Sequence, residues 1–404
     1  MRAFLRDEIK TAVPITNLSS WWNPVVFQRC RAESLDVVDD HFYIDHPSFL
    51  EGSWRLPSKC RNVNPIQGEA MGMTDVVCKR LLDRPFTITE YNYSGPGRFR
   101  GVGGIATGAA GALQDWDGLW RFAWAHGIDS IRRPGSQPMG YFNMADDPLS
   151  LAAERASICL FLRRDLPVLE KTCEIQLEEP SLRKIDPKQT MSKMPGKWAA
   201  WYFRTGTKVA PLFEKGACAL DFEEAYRGKT PDLEKKLFPK GTRPHAAGDG
   251  HVAISPEDGT FVLTTPRTCG GFAERGGVKA GPLSAAIDVP ATVWASSLDG
   301  KDIAESSHIL VTHLTDLQNS GIVYRDASLT VLEKWGSLPY LMRSGTAKVS
   351  LVLAQGAWSV RRLDSSGRPV GEVPASFADG TLAFTASIAA DPANATYLYE
   401  LVRR

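Results

Sequence analysis

The run RPFTITEYNYSGPG, residues 84–97, sets one glutamate, Glu90, at the end of a short apolar stretch, against two tyrosines and a glycine-rich turn. A carboxylate there can serve a salt bridge or cap the next helix; otherwise it is placed for chemistry. Its neighbours favour chemistry. Tyr91, Asn92 and Tyr93 follow directly, and HFYIDHP, residues 41–47, supplies His41, Tyr43, Asp45 and His46. The hydroxyls among these suit contact with sugar hydroxyls, while Trp21, Trp22 and Trp124 offer flat apolar faces for the C–H side of a pyranose ring. Carboxylates, amides and aromatic faces together fit glycosidic bond cleavage, in which one carboxylate attacks the anomeric carbon and a second group protonates the leaving oxygen.

Four strand-like segments would have to deliver these side chains: AVPITNL (12–18), LDVVDDHFYI (35–44), PFTITEY (85–91) and GLWRFAWA (118–125). Helix-like segments at 64–82, 103–116 and 148–164 lie between or after them, the order expected of βα units around a parallel sheet. In a (β/α)8 barrel the carboxyl ends of the strands face one pocket. Strand alternation puts His41, Tyr43 and Asp45 on one face and His46 on the other. After residue 165 the texture changes. Residues 166–250 read as a β-rich connecting region with a charged surface loop or linker, KTPDLEKKLFPKGTRPHAAGDG. From 251 to 404 short alternating runs recur between Gly, Asp, Asn and Pro turns, the mark of an antiparallel β-sandwich. The expected fold is therefore α/β plus all-β: half of a (β/α)8 barrel over 1–165, a connector, and an accessory sandwich.

Composition removes several partners. The 47 basic and 46 acidic residues nearly cancel, to a net charge of +1, and no Lys/Arg run could track a phosphate backbone, which argues against nucleic acid. No stretch approaches the roughly 20 apolar residues of a membrane span. The N-terminal MRAFLRDEIKTA carries a charge every few residues and no apolar signal core; it reads as a helix, and the sequence assigns no compartment. The seven cysteines are scattered without a C-x-x-C and read as buried free thiols.

No cofactor or metal is expected. GVGGIA (101–106) fits the dinucleotide glycine pattern, yet it follows a loop and no acidic residue ends the next strand-like segment, so its glycines read as packing residues. The histidines of HFYIDHP fall on opposite faces of a strand, which disfavours a metal pair, and no G-x-S-x-G elbow is present.

The segments DVVDDHFYIDHPSF and FTITEYNYSGPGRFRGVGGIATGAAGALQDWDGLWRFAWAH resemble the second half of the barrel in clan A glycoside hydrolases, the superfamily of family 42 β-galactosidases and family 5 cellulases. The likeness covers residues 1–165 and implies a retaining hydrolase acting on an oligo- or polysaccharide. Glu90 takes the place of the strand-seven nucleophile, His41 and Tyr43 that of the strand-six residues, and Trp124 that of the strand-eight tryptophan. Clan members carry the acid/base glutamate at the end of strand four, usually after an asparagine, and no Asn-Glu pair occurs in this chain. The resemblance thus implies the C-terminal part of a longer enzyme. Among the local acids Asp36, Asp39, Asp40, Asp45, Asp115 and Asp117, Asp45 is the best substitute. The rival expectation is a carbohydrate-binding or structural protein with a relic half-barrel.

Overall fold

The computed structural model describes residues 1–16, 24–67, 72–178, 180, 194–239, 243–391 and 393–404. Three parallel strands form the first sheet: β1 (Val38–Ile44), β2 (Phe86–Tyr93) and β3 (Gly118–Arg121), in the order β1-β2-β3. Helix α1 (Gly103–Leu113) is wholly buried and lies against α2 (Pro148–Ser157). Glycines of GVGGIATG explain how closely. A Cβ on Gly104 would stand 1.7 Å from the Ala153 carbonyl oxygen, and one on Gly108 would stand 2.6 Å from the Ser157 Cα. Ser157 Oγ then reaches the Gly104 carbonyl at 2.9 Å. The start of α2 is fixed by Asp147, whose carboxylate accepts from the Ser150 amide at 3.1 Å, with Pro148 in the first turn.

The strand expected over 12–18 is not formed among its described residues. Residues 12–16 carry no strand, and 17–18 lie outside the described residues. The reason is a partner further along the chain: the Ile15 amide bonds the Asp36 carboxylate at 2.7 Å, and the Ile15 carbonyl accepts from the Asp36 amide at 2.8 Å, so this backbone is anchored to the entrance of β1 and not to a ladder. Three parallel strands stand where half of a barrel was expected. β3 also stops at Arg121, since the Ala123 amide turns to the Phe142 carbonyl at 3.1 Å. Within 64–82, the described residues are α-helical only over Gly72–Asp75.

A second parallel sheet follows, β4 (Thr172–Leu177), β5 (Arg204–Val209) and β6 (Ala219–Asp221), in the order β5-β4-β6. A parallel bridge between Leu81 and Thr207 ties it to the first part of the chain. The charged stretch expected as a loop is helical over Thr230–Leu237, where Leu233 and Leu237 bury one face. Beyond it, a nine-stranded and a five-stranded antiparallel sheet enclose a core that includes Val293, Val311, Val349, Leu351, Leu382 and Leu401. The molecule is thus mixed and sheet-rich. Phe261, Leu263, Phe272 and Trp294 of the nine-stranded sheet join the core of the α/β part. Arg100 adds a polar clamp between the two, bonding Asp147 at 2.8 Å and the Leu317 carbonyl at 2.9 Å.

Candidate active site

Along β2 the side chains should alternate, which would send Glu90 to the same side as Phe86 and Ile88, into the helix layer. A β-bulge prevents this. Asp40 pairs with Ile88 but His41 pairs with Glu90, so Thr89 is an extra residue in the ladder. The register against β3 shifts over the same residues, between Ile88 and Tyr91. Bulges re-aim side chains in this way. Glu90 turns to the open face with its side chain 34% exposed, and Tyr91 takes the buried side.

Asp39 holds the bulge. Its Oδ1 accepts from the Thr87 hydroxyl at 2.8 Å and the Thr89 amide at 3.0 Å, and its Oδ2 accepts from the Thr89 hydroxyl at 2.6 Å. Burial alone would raise this carboxyl, but the bonds from His41, Thr89 and Thr87 outweigh it and keep Asp39 below its ordinary value. His41 stands between two carboxylates: Nε2 is 3.4 Å from Asp39 Oδ2, and Nδ1 is 3.4 Å from Glu90 Oε2. The Tyr43 hydroxyl donates to that same Oε2 at 2.6 Å. Burial, then the bond to Glu90, pushes the Tyr43 phenol far up, so it is a neutral donor at any physiological pH.

The structure places the other expected residues differently. Tyr91 is fully buried, stacked on Phe42 at 5.4 Å, and its hydroxyl donates to Glu154 of α2. It cannot meet a ligand beside Glu90, because the bulge that freed Glu90 sent Tyr91 inward. Asn92 is buried as well; its amide bonds the Phe122 and Phe142 carbonyls, and its Oδ1 accepts from Arg121 at 2.8 Å. Asn92 therefore supports the wall of the site. Asp45 leaves the strand in a left-handed conformation, φ +59°. Its carboxylate serves the amides of Arg61, Asn62 and Val63 in the next loop, while burial outweighs those bonds and raises it. The expected face shared by His41, Tyr43 and Asp45 ends at Tyr43. His46, expected to face away, instead sets its ring edge-on to Tyr43 at 5.2 Å. Trp124 lies beyond the end of β3 and is 49% exposed; the ring beside Tyr43 from this segment is Phe122, at 6.3 Å. Trp21 and Trp22 lie outside the described residues.

An aromatic wall missed by sequence reasoning borders the Glu90 face. Phe142 meets Tyr43 at 5.4 Å and His46 at 5.4 Å. Trp54, 61% exposed, meets Phe142 at 6.1 Å and Phe49 at 4.9 Å. Trp335, from the β-rich part, closes on Tyr141 at 4.7 Å. Asp117 sits at the opposite rim, where its carboxylate accepts from the Phe86 amide at the start of β2.

No protein-family model matches the chain, and no curated protein matches it. Among solved structures, a monomeric beta-xylosidase from Caulobacter crescentus CB15 aligns with 99% of the chain at 12% identity and a TM-score of 0.32. The alignment covers 64% of that protein's length. An alpha-fucosidase from Thermotoga maritima, solved with fucose, aligns with 95% of the chain and 79% of its own at 11% identity and a TM-score of 0.19. These distant neighbours are glycoside hydrolases, but both likenesses are too loose to bear on the chemistry, which the site geometry has to carry.

Proposed function

We propose that the chain carries the nucleophile side of a retaining glycoside hydrolase, with Glu90 attacking the anomeric carbon of a β-glycoside. The observation that supports this is the pair of contacts on one oxygen: Tyr43 at 2.6 Å and His41 at 3.4 Å both engage Oε2 of a carboxylate that the bulge turns to the open face. The Tyr43 hydroxyl bonds Oε2 and leaves Oε1 to attack. As the glycosyl–enzyme bond forms the carboxylate loses its negative charge, and it regains it when water attacks the anomeric carbon and the bond to Glu90 breaks, with the Tyr43 hydroxyl placed to hydrogen-bond the returning carboxylate. His46, Phe122 and Phe142 pack around the Tyr43 ring. Asp39 is a positioning residue, since it fixes both the bulge and the imidazole.

The test separates attack from protonation. Activated 2-deoxy-2-fluoro aryl β-glycosides (xyloside, galactoside, glucoside) carry leaving groups that depart without an acid. The full chain should accumulate a covalent sugar on the peptide containing Glu90, identified by mass spectrometry, and Glu90→Gln should abolish it. Labelling at another residue, or equal labelling of the variant, overturns the assignment. A chain that binds these glycosides and never forms an adduct is the binding protein of the rival reading.

A further inference from the structure

Outside this site, the second parallel sheet brings two of the seven cysteines together. β4 and β6 pair with Glu174 opposite Ala219 and Ile175 opposite Leu220, so the preceding residues, Cys173 and Cys218, are the next cross-strand pair. The backbone agrees: the Glu174 amide donates to the Cys218 carbonyl at 2.9 Å. Neighbouring strands lie about 4.8 Å apart, inside the Cα separation of about 4.4–6.8 Å that a disulfide spans. Residues opposite each other in a ladder project to the same face, so the two sulfurs meet.

Their exposures differ. Cys173 is fully buried, whereas Cys218 is part-exposed on a cavity of about 530 Å³ lined also by Lys171, Tyr202, Lys236 and Phe238. The hydrogen bond with the Cys173 thiol draws Cys218 below the usual thiol range, with Lys236 and Lys171 adding to it against the opposing effect of burial. The same contact and burial hold Cys173 far above its ordinary value. One thiol is therefore an accessible nucleophile and the other a hidden partner that only an intramolecular reaction reaches.

We infer that Cys173 and Cys218 form a redox-active dithiol, Cys218 attacking and Cys173 resolving, which closes a disulfide between β4 and β6. The oxidant is a small disulfide of the glutathione class. The Cys218 thiolate attacks one sulfur of that disulfide, forming a mixed disulfide and releasing one thiolate, which takes a proton. Cys173 then loses its proton and attacks the Cys218 sulfur, releasing the second small thiol. Two protein thiols are oxidised, and one small disulfide is reduced to two thiols.

The test is peptide mapping without reductant after exposure of the folded full chain to oxidised glutathione, with circular dichroism confirming that the fold persists. The expected product is one cross-linked peptide pair joining Cys173 to Cys218, reversed by dithiothreitol. Cys173→Ser should halt the reaction at a stable glutathione adduct on Cys218, and Cys218→Ser should lose the cross-link and leave Cys173 unmodified. A wild-type chain that keeps glutathione on Cys218 without resolving it overturns the inference, as does preferential pairing of Cys173 with Cys78, the other buried thiol near it.

Discussion

In the sandwich, the strands Thr346–Val352 and Thr381–Ser387 pair so that Ala347 meets Ala386, Val349 meets Phe384 and Leu351 meets Leu382; all six are buried, while Lys348 and Thr385 between them are exposed. In β1 the consecutive residues Val38, Asp39 and Asp40 are all buried, and two of them are carboxylates. Asp40 meets Arg31 at 3.3 Å and Lys79 at 2.8 Å, while Asp39 serves Thr87, Thr89 and His41. The sandwich is held by apolar burial in a period of two, and the parallel sheet by a polar network that breaks that period. The difference teaches where to look for chemistry: buried carboxylates are costly unless they are bonded, and here the bonds of Asp39 lead through His41 to Glu90 on the open face.

Substitutions on either side should separate activity from stability. Glu90→Gln should lower turnover of an activated glycoside about 10⁴-fold while moving the urea midpoint little, whereas Leu351→Ala should cost about 2–5 kcal/mol and leave kcat alone. A Glu90→Gln chain with unchanged kcat, or a Leu351→Ala chain that loses it, erases the contrast. Asp40→Ala should come next, at about 3–5 kcal/mol in denaturant melts, because it leaves the buried Arg31 guanidinium without its carboxylate. Little loss would mean the pair is replaceable by packing.

The sandwich has its own exception. His313 is fully buried and neither ring nitrogen has a hydrogen-bond partner among the described residues; burial pushes it from 6.5 down to about 4, with Asp288 opposing. Because the folded value lies below the unfolded one, the unfolded chain binds more protons between pH 6.5 and 4. Stability is full above pH 6.5 and falls by about 3 kcal/mol as the pH drops to 4. His313→Leu should remove that slope from a series of melts; matching slopes in variant and wild type would discard the assignment.

Two smaller effects sharpen the site. Tyr43→Phe removes the hydroxyl that donates to Glu90 Oε2 and should cost about 10- to 100-fold in kcat/KM; an effect within twofold would leave His41 as the group that matters. Trp124→Ala should change kcat/KM by less than about twofold, since the ring lies past the end of β3 and Phe122 holds the place beside Tyr43. A large loss would return Trp124 to the site.

Much of this was legible from local pattern. The three parallel strands, helix α1 with its packing glycines and the run of sandwich strands all follow from periodicity and turn residues. The bulge left a faint signal: Glu90 shares its phase with Phe86 and Ile88, an odd place for a carboxylate on a strand whose other residues of that phase are buried. The turn at Asp45 and the absence of a strand at 12–16 left none, because both depend on hydrogen bonds to partners distant in the chain, Arg61 and Asp36.

By itself, then, the sequence determined the three parallel strands, helix α1 and the run of sandwich strands, and set His41 and Tyr43 on β1 and Glu90 on β2, because burial period and backbone propensity act over a few residues. The tertiary structure alone decided that Thr89 is extra, that Tyr91 and Asn92 turn into walls, and that Phe142 packs against Tyr43 and Trp335 against Tyr141. Strand register and ring packing join residues far apart in the chain, and no local pattern records which of the possible pairings has the lowest free energy.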